Sequence, residues 1–123
     1  MKENIIQRKT ENFAYRMIDL YKVLRTDFKE YEISRQLIRS GTSIGANVVE
    51  AQNAISKKDF LLKMYISLKE CGETLYWLRL LHHGKYVMTD NFESSYADYE
   101  EIRKILIAII KKTKINMNRD VDL

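Results

Sequence analysis

The sequence predicts an all-α protein, an antiparallel four-helix bundle of the up-down-up-down type, and three observations lead to this prediction. The 123-residue chain has no proline and only four glycines, so little in it interrupts a helix. Its apolar residues recur at steps of three and four over four separate stretches, which is the spacing of one helix face. Only short polar segments separate these stretches, and consecutive helices joined by short loops pack as antiparallel neighbours.

The composition is that of a soluble globular protein rather than a disordered chain, with 46% apolar and 31% charged residues. A net charge of +4 permits a nucleic-acid partner without requiring one. Cys71 is the single cysteine and cannot form an internal disulfide. The first residues are too polar for a signal peptide, and no apolar run is long enough to cross a bilayer. We therefore expect a cytoplasmic protein that has no membrane partner.

Cap signals set the expected ends of the helices. Thr10 is a suitable N-cap for the first helix, and Ser56 with an acid three residues later resembles a capping box. Gly84 closes the third helix. We expect a loosely held lead-in (1–9), four helices (10–27, 31–53, 57–82 and 90–112) and a polar, frayed tail (113–123).

The second predicted helix is unusual because small and polar residues lie within and beside its apolar stripe. Gly41 and Gly45 each cost about 1 kcal/mol relative to alanine, so we expect a neighbouring helix to approach closely there. Ser43, Asn47 and Glu50 line one flank of the stripe. In one interpretation Asn47 and Glu50 hydrogen-bond to a neighbouring helix and fix its register. In the other, the flank is a polar pocket that binds a ligand.

The third predicted helix has two apolar sets. Its core stripe consists of Phe60, Met64, Leu68, Cys71, Leu75 and Leu78. The second set lies on the opposite side and consists of Leu62, Ile66, Trp77 and Leu80. A helix in a monomeric bundle exposes that side to water, so four apolar residues there predict self-association through this face.

Few residues are suited to catalysis. His82 and His83 are adjacent, so on a helix they diverge by about 100° and cannot chelate one metal ion together. Cys71 falls on the core stripe, where a thiol is buried and inert. The paired carboxylates lack a matching histidine and are interpreted as solvated faces: Glu70 with Glu73, and Glu100 with Glu101. We expect no enzyme, no metal site and no cofactor.

Basic residues form three groups that could contact phosphate. They are Arg35 and Arg39 on the second helix, Lys57, Lys58 and Lys63 at the start of the third, and Lys111, Lys112 and Lys114 near the end of the chain. No motif that reads base sequence accompanies them. Binding through these groups would be directed at the backbone and would weaken with salt.

One run of the second helix resembles a family signature. Residues 39–51 (RSGTSIGANVVEA) resemble the S-I-x-x-N-I-x-E-G/A pattern of the four-helix bundle proteins encoded in intervening sequences of bacterial 23S rRNA genes. The SKKDF run at 56–60 and the GKY run at 84–86 also resemble that family, and the likeness extends over about residues 5–112. The family-characteristic positions are Gly41, Ser43, Ile44, Gly45, Asn47 and Glu50, and no catalytic role comes with them.

The resemblance implies a ring-shaped homo-oligomer, with a pentamer favoured. The chain is also similar to the accessory proteins of diversity-generating retroelements, whose basic pentameric barrels bind nucleic acid and assist a reverse transcriptase. We therefore expect a non-enzymatic accessory protein that binds the backbone of RNA or DNA with low sequence specificity. The alternative is an oligomeric helical scaffold that docks a partner protein, such as a reverse transcriptase, without nucleic acid.

Overall fold

The fold is all-α. The computed structural model describes residues 4–122, with side chains to residue 119, and over that range it contains four α-helices and no strand. The helices are α1 (Ile5–Thr26), α2 (Glu32–Gln52), α3 (Lys57–His83) and α4 (Thr89–Asp122). Each helix packs on the next, and α4 also contacts α1. The predicted all-α class with four helices is confirmed. None of the four helices, over the described residues, is long and apolar enough to span a membrane.

A single apolar core lies between the helices. Burying one large aliphatic side chain stabilises the fold by about 1.5–3 kcal/mol, so the core stripes account for much of the stability. The largest fully buried apolar residues come from all four helices: Met17, Leu24, Leu37, Ile44, Met64, Leu78, Leu81, Ile102 and Leu106.

The first helix begins at Ile5 rather than at residue 10. Its N-cap is Asn4, whose side-chain oxygen accepts a hydrogen bond of 3.0 Å from the backbone N–H of Gln7. Thr10 is not a cap, because it is buried inside the helix and its hydroxyl donates to the carbonyl oxygen of Ile6 at 2.8 Å. Ile6 is buried in the core, and this burial favours the earlier start. Residues 1–3 of the predicted lead-in lie outside the described residues.

The last helix continues to Asp122, well into the segment predicted as a frayed tail. Thr113 donates a hydrogen bond of 2.8 Å to the carbonyl oxygen of Ile109. The ammonium of Lys114 lies 6.0 Å from the centre of the Tyr65 ring, so these turns run alongside α3. The segment is thus helical and has a contact with α3 at Lys114. Leu123 lies outside the described residues.

Candidate nucleic-acid interface

The glycines of α2 lie against α1. A Cβ atom at Gly41 would stand 2.7 Å from Cγ of Met17, and one at Gly45 would stand 3.3 Å from Oγ1 of Thr10. Distances this short leave no room for a methyl group unless the neighbour moves. The glycines therefore allow α1 to approach α2 closely, and these helix contacts compensate for their low helix propensity.

Hydroxyl groups join α2 to α3. Ser67 donates a hydrogen bond of 2.8 Å to the carbonyl oxygen of Ile44, and the hydroxyl of Thr74 donates to that of Ser40 at 3.0 Å. All three hydroxyl-bearing residues are buried. These bonds join the two helices at two levels, and a shift along either axis would separate the buried Ser67 hydroxyl from its described partner.

Asn47 and Glu50 behave differently from each other. The amide nitrogen of Asn47 donates to the carbonyl oxygen of Ser43 at 2.8 Å and to its hydroxyl at 3.1 Å, so it bonds within α2 and not to a neighbouring helix as predicted. Its short side chain reaches the preceding turn more easily than another helix. The exposed carboxylate of Glu50 does reach α3, where it lies 3.4 Å from Nζ of Lys63.

Glu70 is buried, whereas the sequence analysis interpreted it as part of a solvated face. It turns toward α2 beside Arg39, whose guanidinium bonds Glu73 at 2.5 Å and lies 3.7 Å from Oε2 of Glu70. That oxygen is inaccessible to solvent and has no hydrogen-bond partner in the described part of the chain. Burial and then the neighbouring Glu73 carboxylate raise the pKa of Glu70. The hydrogen bond from Arg39 lowers the pKa of Glu73, so Glu70 is the first of the pair to take a proton.

At least three of the eight predicted phosphate contacts form ion pairs within the described part of the chain. Arg35 lies 3.8 Å from Glu32, while Arg39 and Lys63 form the pairs described above. The remaining five are exposed: Lys57, Lys58, Lys111, Lys112 and Lys114. The arginines of α2 are therefore already in contact with acidic residues.

A surface that the sequence analysis missed runs along α3. Eight exposed residues recur at alternating steps of four and three and define the outer face of α3: Lys58, Leu62, Tyr65, Lys69, Gly72, Tyr76, Arg79 and His83. This face is about 38 Å long at 1.5 Å per residue. It contains lysine, arginine, histidine and tyrosine but no carboxylate. The signal is present in the sequence, but it appears only when the exposed side of the helix is examined as well as the apolar stripes.

The predicted oligomer face borders the outer face of α3. Leu62 is 55% exposed, whereas Ile66, Trp77 and Leu80 are half-buried. Trp77 packs against the core and meets the ring of Tyr76 edge to face, with 5.0 Å between the ring centres. Leu62 is therefore the member of the set with the most surface left for a partner.

An open groove of about 490 Å³ lies between α1 and α2. Asn4 and Arg8 stand at its α1 side. Most of the other lining residues are small or short: Thr10, Ala14, Thr42, Gly45, Ala46 and Val49. The groove is mainly apolar, and the close approach of the two helices keeps its floor shallow.

The residues considered as candidates for catalysis take part in the packing of the fold. Burial raises the pKa of the Cys71 thiol to about 12 and keeps it protonated. The ring of His82 stacks on Phe92 with 4.5 Å between centres, and its Nε2 lies 3.1 Å from the Thr89 hydroxyl. Among the described residues, no group of three or more histidine, cysteine or acidic side chains is arranged to hold a metal ion.

The fold and the outer face of α3 define a helical bundle with a basic, tyrosine-bearing surface. A family model described as 23S rRNA-intervening sequence protein matches residues 2–108, and the chain belongs to that family. The resemblance seen in the second helix is thereby confirmed.

The chain is also similar to a solved structure from the same group of proteins. That crystal structure is described as a protein with unknown function from the S23 ribosomal protein family of Bacteroides thetaiotaomicron VPI-5482. The two chains share 49% sequence identity over 90% of this chain and 99% of the other, with a TM-score of 0.87. No curated protein matches the chain.

Proposed function

We propose that this protein is a non-enzymatic, homo-oligomeric accessory protein of the cytoplasm that binds the backbone of RNA or DNA with low sequence specificity. The observation that carries the proposal is the outer face of α3, which combines three permanently cationic side chains with two tyrosines and no carboxylate. A phosphate backbone is the polyanion that such a surface complements.

The charge of this face is less neutralised by internal ion pairs than that of the arginines on α2. Lys58, Lys69 and Arg79 are all exposed at regular spacing along one side of the helix. Lys114 of α4 adds a further positive charge beside Tyr65. Because Lys58, Lys69 and Arg79 are exposed, a polyanion can replace their counterions without breaking an ion pair described within the fold.

An up-down-up-down order of the helices belongs to the same proposal. Residues early in one helix contact residues late in the next, as Ser40 does with Thr74 and Ile44 with Ser67. Gly45 and Gly41 follow the same rule against Thr10 and Met17. In both pairs of helices, the residue number in one helix rises as the residue number of its contact in the other falls. This order supports antiparallel neighbours.

A ring-shaped homo-oligomer, with a pentamer favoured, completes the proposal. Leu62 supports it because it exposes more than half of its surface next to the half-buried Ile66 and Leu80. Leu62 also belongs to the outer face of α3, so a subunit contact there would leave open the part of that face from Tyr65 onward. Rotational symmetry would repeat this part in every subunit, so one nucleic acid could contact several copies and the weak contacts would add.

Gel mobility shifts with structured RNA and with DNA over a series of salt concentrations test the binding. We expect complexes at low salt that weaken as salt rises. Replacing Lys58 and Lys69 by Gln should lower the slope of log K against log salt by about 2. A matched pair of exposed lysines away from α3, Lys22 and Lys29, supplies the control and should leave the slope unchanged. Absence of binding even at low salt would contradict the proposal.

A second candidate function is a scaffold that docks a partner protein, such as a reverse transcriptase, without nucleic acid. The groove between α1 and α2 favours it, since a shallow apolar channel floored by Gly45 and Ala46 can accept an amphipathic helix. This function predicts capture of the partner that survives nuclease treatment. Ala46→Glu should abolish the capture, whereas replacement of Lys58 and Lys69 by Gln on the outer face of α3 should leave it unchanged.

A further inference from the structure

We propose that the nucleic acid taken by the outer face of α3 is single-stranded, with bases stacked on Tyr65 and Tyr76. The inference rests on the proposed function and specifies its ligand. Proteins that bind single strands without reading their sequence combine a positively charged track with aromatic side chains on which bases stack. The outer face of α3 has both.

The two tyrosines are accessible and lie on the same line. Tyr65 is 41% exposed and Tyr76 is 54% exposed. They are eleven residues apart in one helix, which corresponds to about 16 Å along its axis. Lys69 lies between them on the same face, and Arg79 follows Tyr76 by one turn. A single-stranded nucleic acid bound along this face would contact cations between the two tyrosines on which its bases stack.

Each tyrosine has a neighbour that fits a stacking role. Tyr76 meets Trp77 at 5.0 Å and an interplanar angle of 64°, and Trp77 itself packs on the core. The indole limits the directions that the Tyr76 ring can take while leaving it accessible. The ammonium of Lys114 lies over the Tyr65 ring, 6.0 Å from its centre, and a base that stacks on this face would displace it toward the phosphate of the same nucleotide.

Gly72 is an independent observation that points to the same surface. It lies in the interior of α3, between Lys69 and Tyr76 on the outer face, and a Cβ atom there would meet nothing within 4 Å. Unlike Gly41, it is not required by packing inside the chain, although glycine costs about 1 kcal/mol relative to alanine in a helix. A missing side chain at this point lets a ligand backbone come close to the helix.

A duplex would not use these features. Its bases are stacked on each other and reach the surface only as groove edges, so an exposed tyrosine ring on the flank of a helix finds no base face. In a single strand the bases are free to turn toward an aromatic ring. The tyrosines therefore favour a single strand, while the cations alone would accept either form.

Binding of single-stranded RNA, single-stranded DNA and the matching duplex, each of about 16 nucleotides, tests the inference. Trp77 is the only tryptophan of the chain and contacts Tyr76, so its fluorescence reports occupancy of the site directly. We expect the single strands to bind at least about fivefold more tightly than the duplex and to change this fluorescence. Comparison of single-stranded RNA with single-stranded DNA identifies which of the two is preferred.

Substitutions separate stacking from charge. Tyr65→Leu and Tyr76→Leu should each weaken single-strand binding by about fivefold or more and leave duplex binding unchanged. Tyr76→Phe should retain the affinity because the ring remains. Gly72→Ala should weaken the single-strand complex as well. The control is Tyr15→Leu on α1, since Tyr15 is 54% exposed, like Tyr76, and should have no effect.

The outcomes distinguish the two proposals. If neither single strands nor duplex bind at low salt, the proposed function fails and this inference fails with it. If the duplex binds as tightly as the single strands, and the leucine variants bind normally while the Lys58 and Lys69 replacements weaken binding, only the single-strand assignment is overturned. Selective loss of single-strand affinity in the two leucine variants establishes it.

Discussion

Glycine residues show how one residue type serves different purposes in the same bundle. Gly41 stands where α1 leaves no space for a methyl group and Gly45 where a methyl group would fit only tightly, whereas Gly72 faces open space. The sequence alone shows only three glycines within helical patterns. Distances to the neighbouring helix separate the glycines that packing requires from the one that packing does not require.

Replacement of these glycines by alanine is expected to have opposite effects on stability. Gly41→Ala places a Cβ atom 2.7 Å from the Met17 side chain, and we expect a loss of about 1–3 kcal/mol in the free energy of unfolding. Gly72→Ala meets no obstacle, so helix propensity should raise that free energy by up to about 1 kcal/mol. Urea denaturation of both variants measures the difference. Equal effects of the two substitutions would contradict the packing role of Gly41.

Glu70 is the side chain whose surroundings differ most from the prediction. It is buried beside the Glu73 carboxylate, where Arg39 at 3.7 Å and, to a smaller extent, Lys69 offer a partial counter-charge. Its pKa is raised, so the folded state binds a proton there more readily than the unfolded chain does. The contribution of Glu70 to stability is therefore largest at low pH, and it falls as the pH rises from its unfolded pKa through the folded pKa.

Glu70→Gln should consequently stabilise the protein near neutral pH. The amide keeps the shape of the protonated acid and removes a buried charge, so we expect a gain of about 1 kcal/mol. Below about pH 4 the gain should vanish, because Glu70 is then protonated in both folded and unfolded chains. Thermal unfolding at several pH values measures this, with the exposed Glu93→Gln as control. A gain that stays the same at every pH would be inconsistent with the raised pKa.

Helices were predicted in the right places but with different ends. The centres of all four follow from apolar periodicity, which extends over many residues and tolerates local exceptions. The ends depend on single contacts, such as the cap at Asn4 and the proximity of Lys114 to Tyr65. Thr10 illustrates the difficulty, because a threonine suited to capping bonds equally well to the carbonyl of the preceding turn.

The true start of α1 can be tested by removing its cap. Asn4→Ala leaves the N–H of Gln7 without its 3.0 Å partner, and we expect a loss of about 1 kcal/mol in stability. Asn12→Ala serves as control, since Asn12 is exposed inside the helix. A lead-in that was not part of the helix would make the two variants equally stable. Chemical denaturation followed by circular dichroism distinguishes these results.

In the packed bundle, Leu62 is the most exposed aliphatic residue of α3. Leu62 is 55% exposed, whereas Trp77 is tied to the core and to Tyr76. Trp77→Glu would dissociate an oligomer that used this face of α3. It would also disturb the packing of the subunit itself, so the two effects could not be separated. Leu62 therefore provides the cleaner test of the proposed oligomer.

Light scattering should show an oligomer for the wild-type protein at micromolar concentration and a folded monomer for Leu62→Glu. The physical reason is that a carboxylate buried at the subunit interface would lose its hydration without gaining a partner. Ile55→Glu is the matched control, because Ile55 is 94% exposed in the loop before α3 and should leave the assembly intact. A monomeric wild-type protein would contradict the oligomer, and an oligomeric Leu62→Glu protein would exclude this face as its interface.

Residue patterns alone were sufficient for the fold class, the core stripes of the helices and membership of the family. Each of these depends on spacings that the chain carries in one dimension, such as the apolar period of 3.6 residues and the signature at 39–51. They are independent of which helices become neighbours.

Only the packed helices decide which polar residues remain available. Arg39 forms ion pairs with the carboxylates of Glu70 and Glu73 where α2 contacts α3. The residues of the outer face of α3 stay exposed. Distances between separate helices are set by close packing, and no local spacing in the chain encodes them. For this reason the spacing of the basic residues of α3 can be seen in the sequence, whereas their exposure was established only when the helices were placed together.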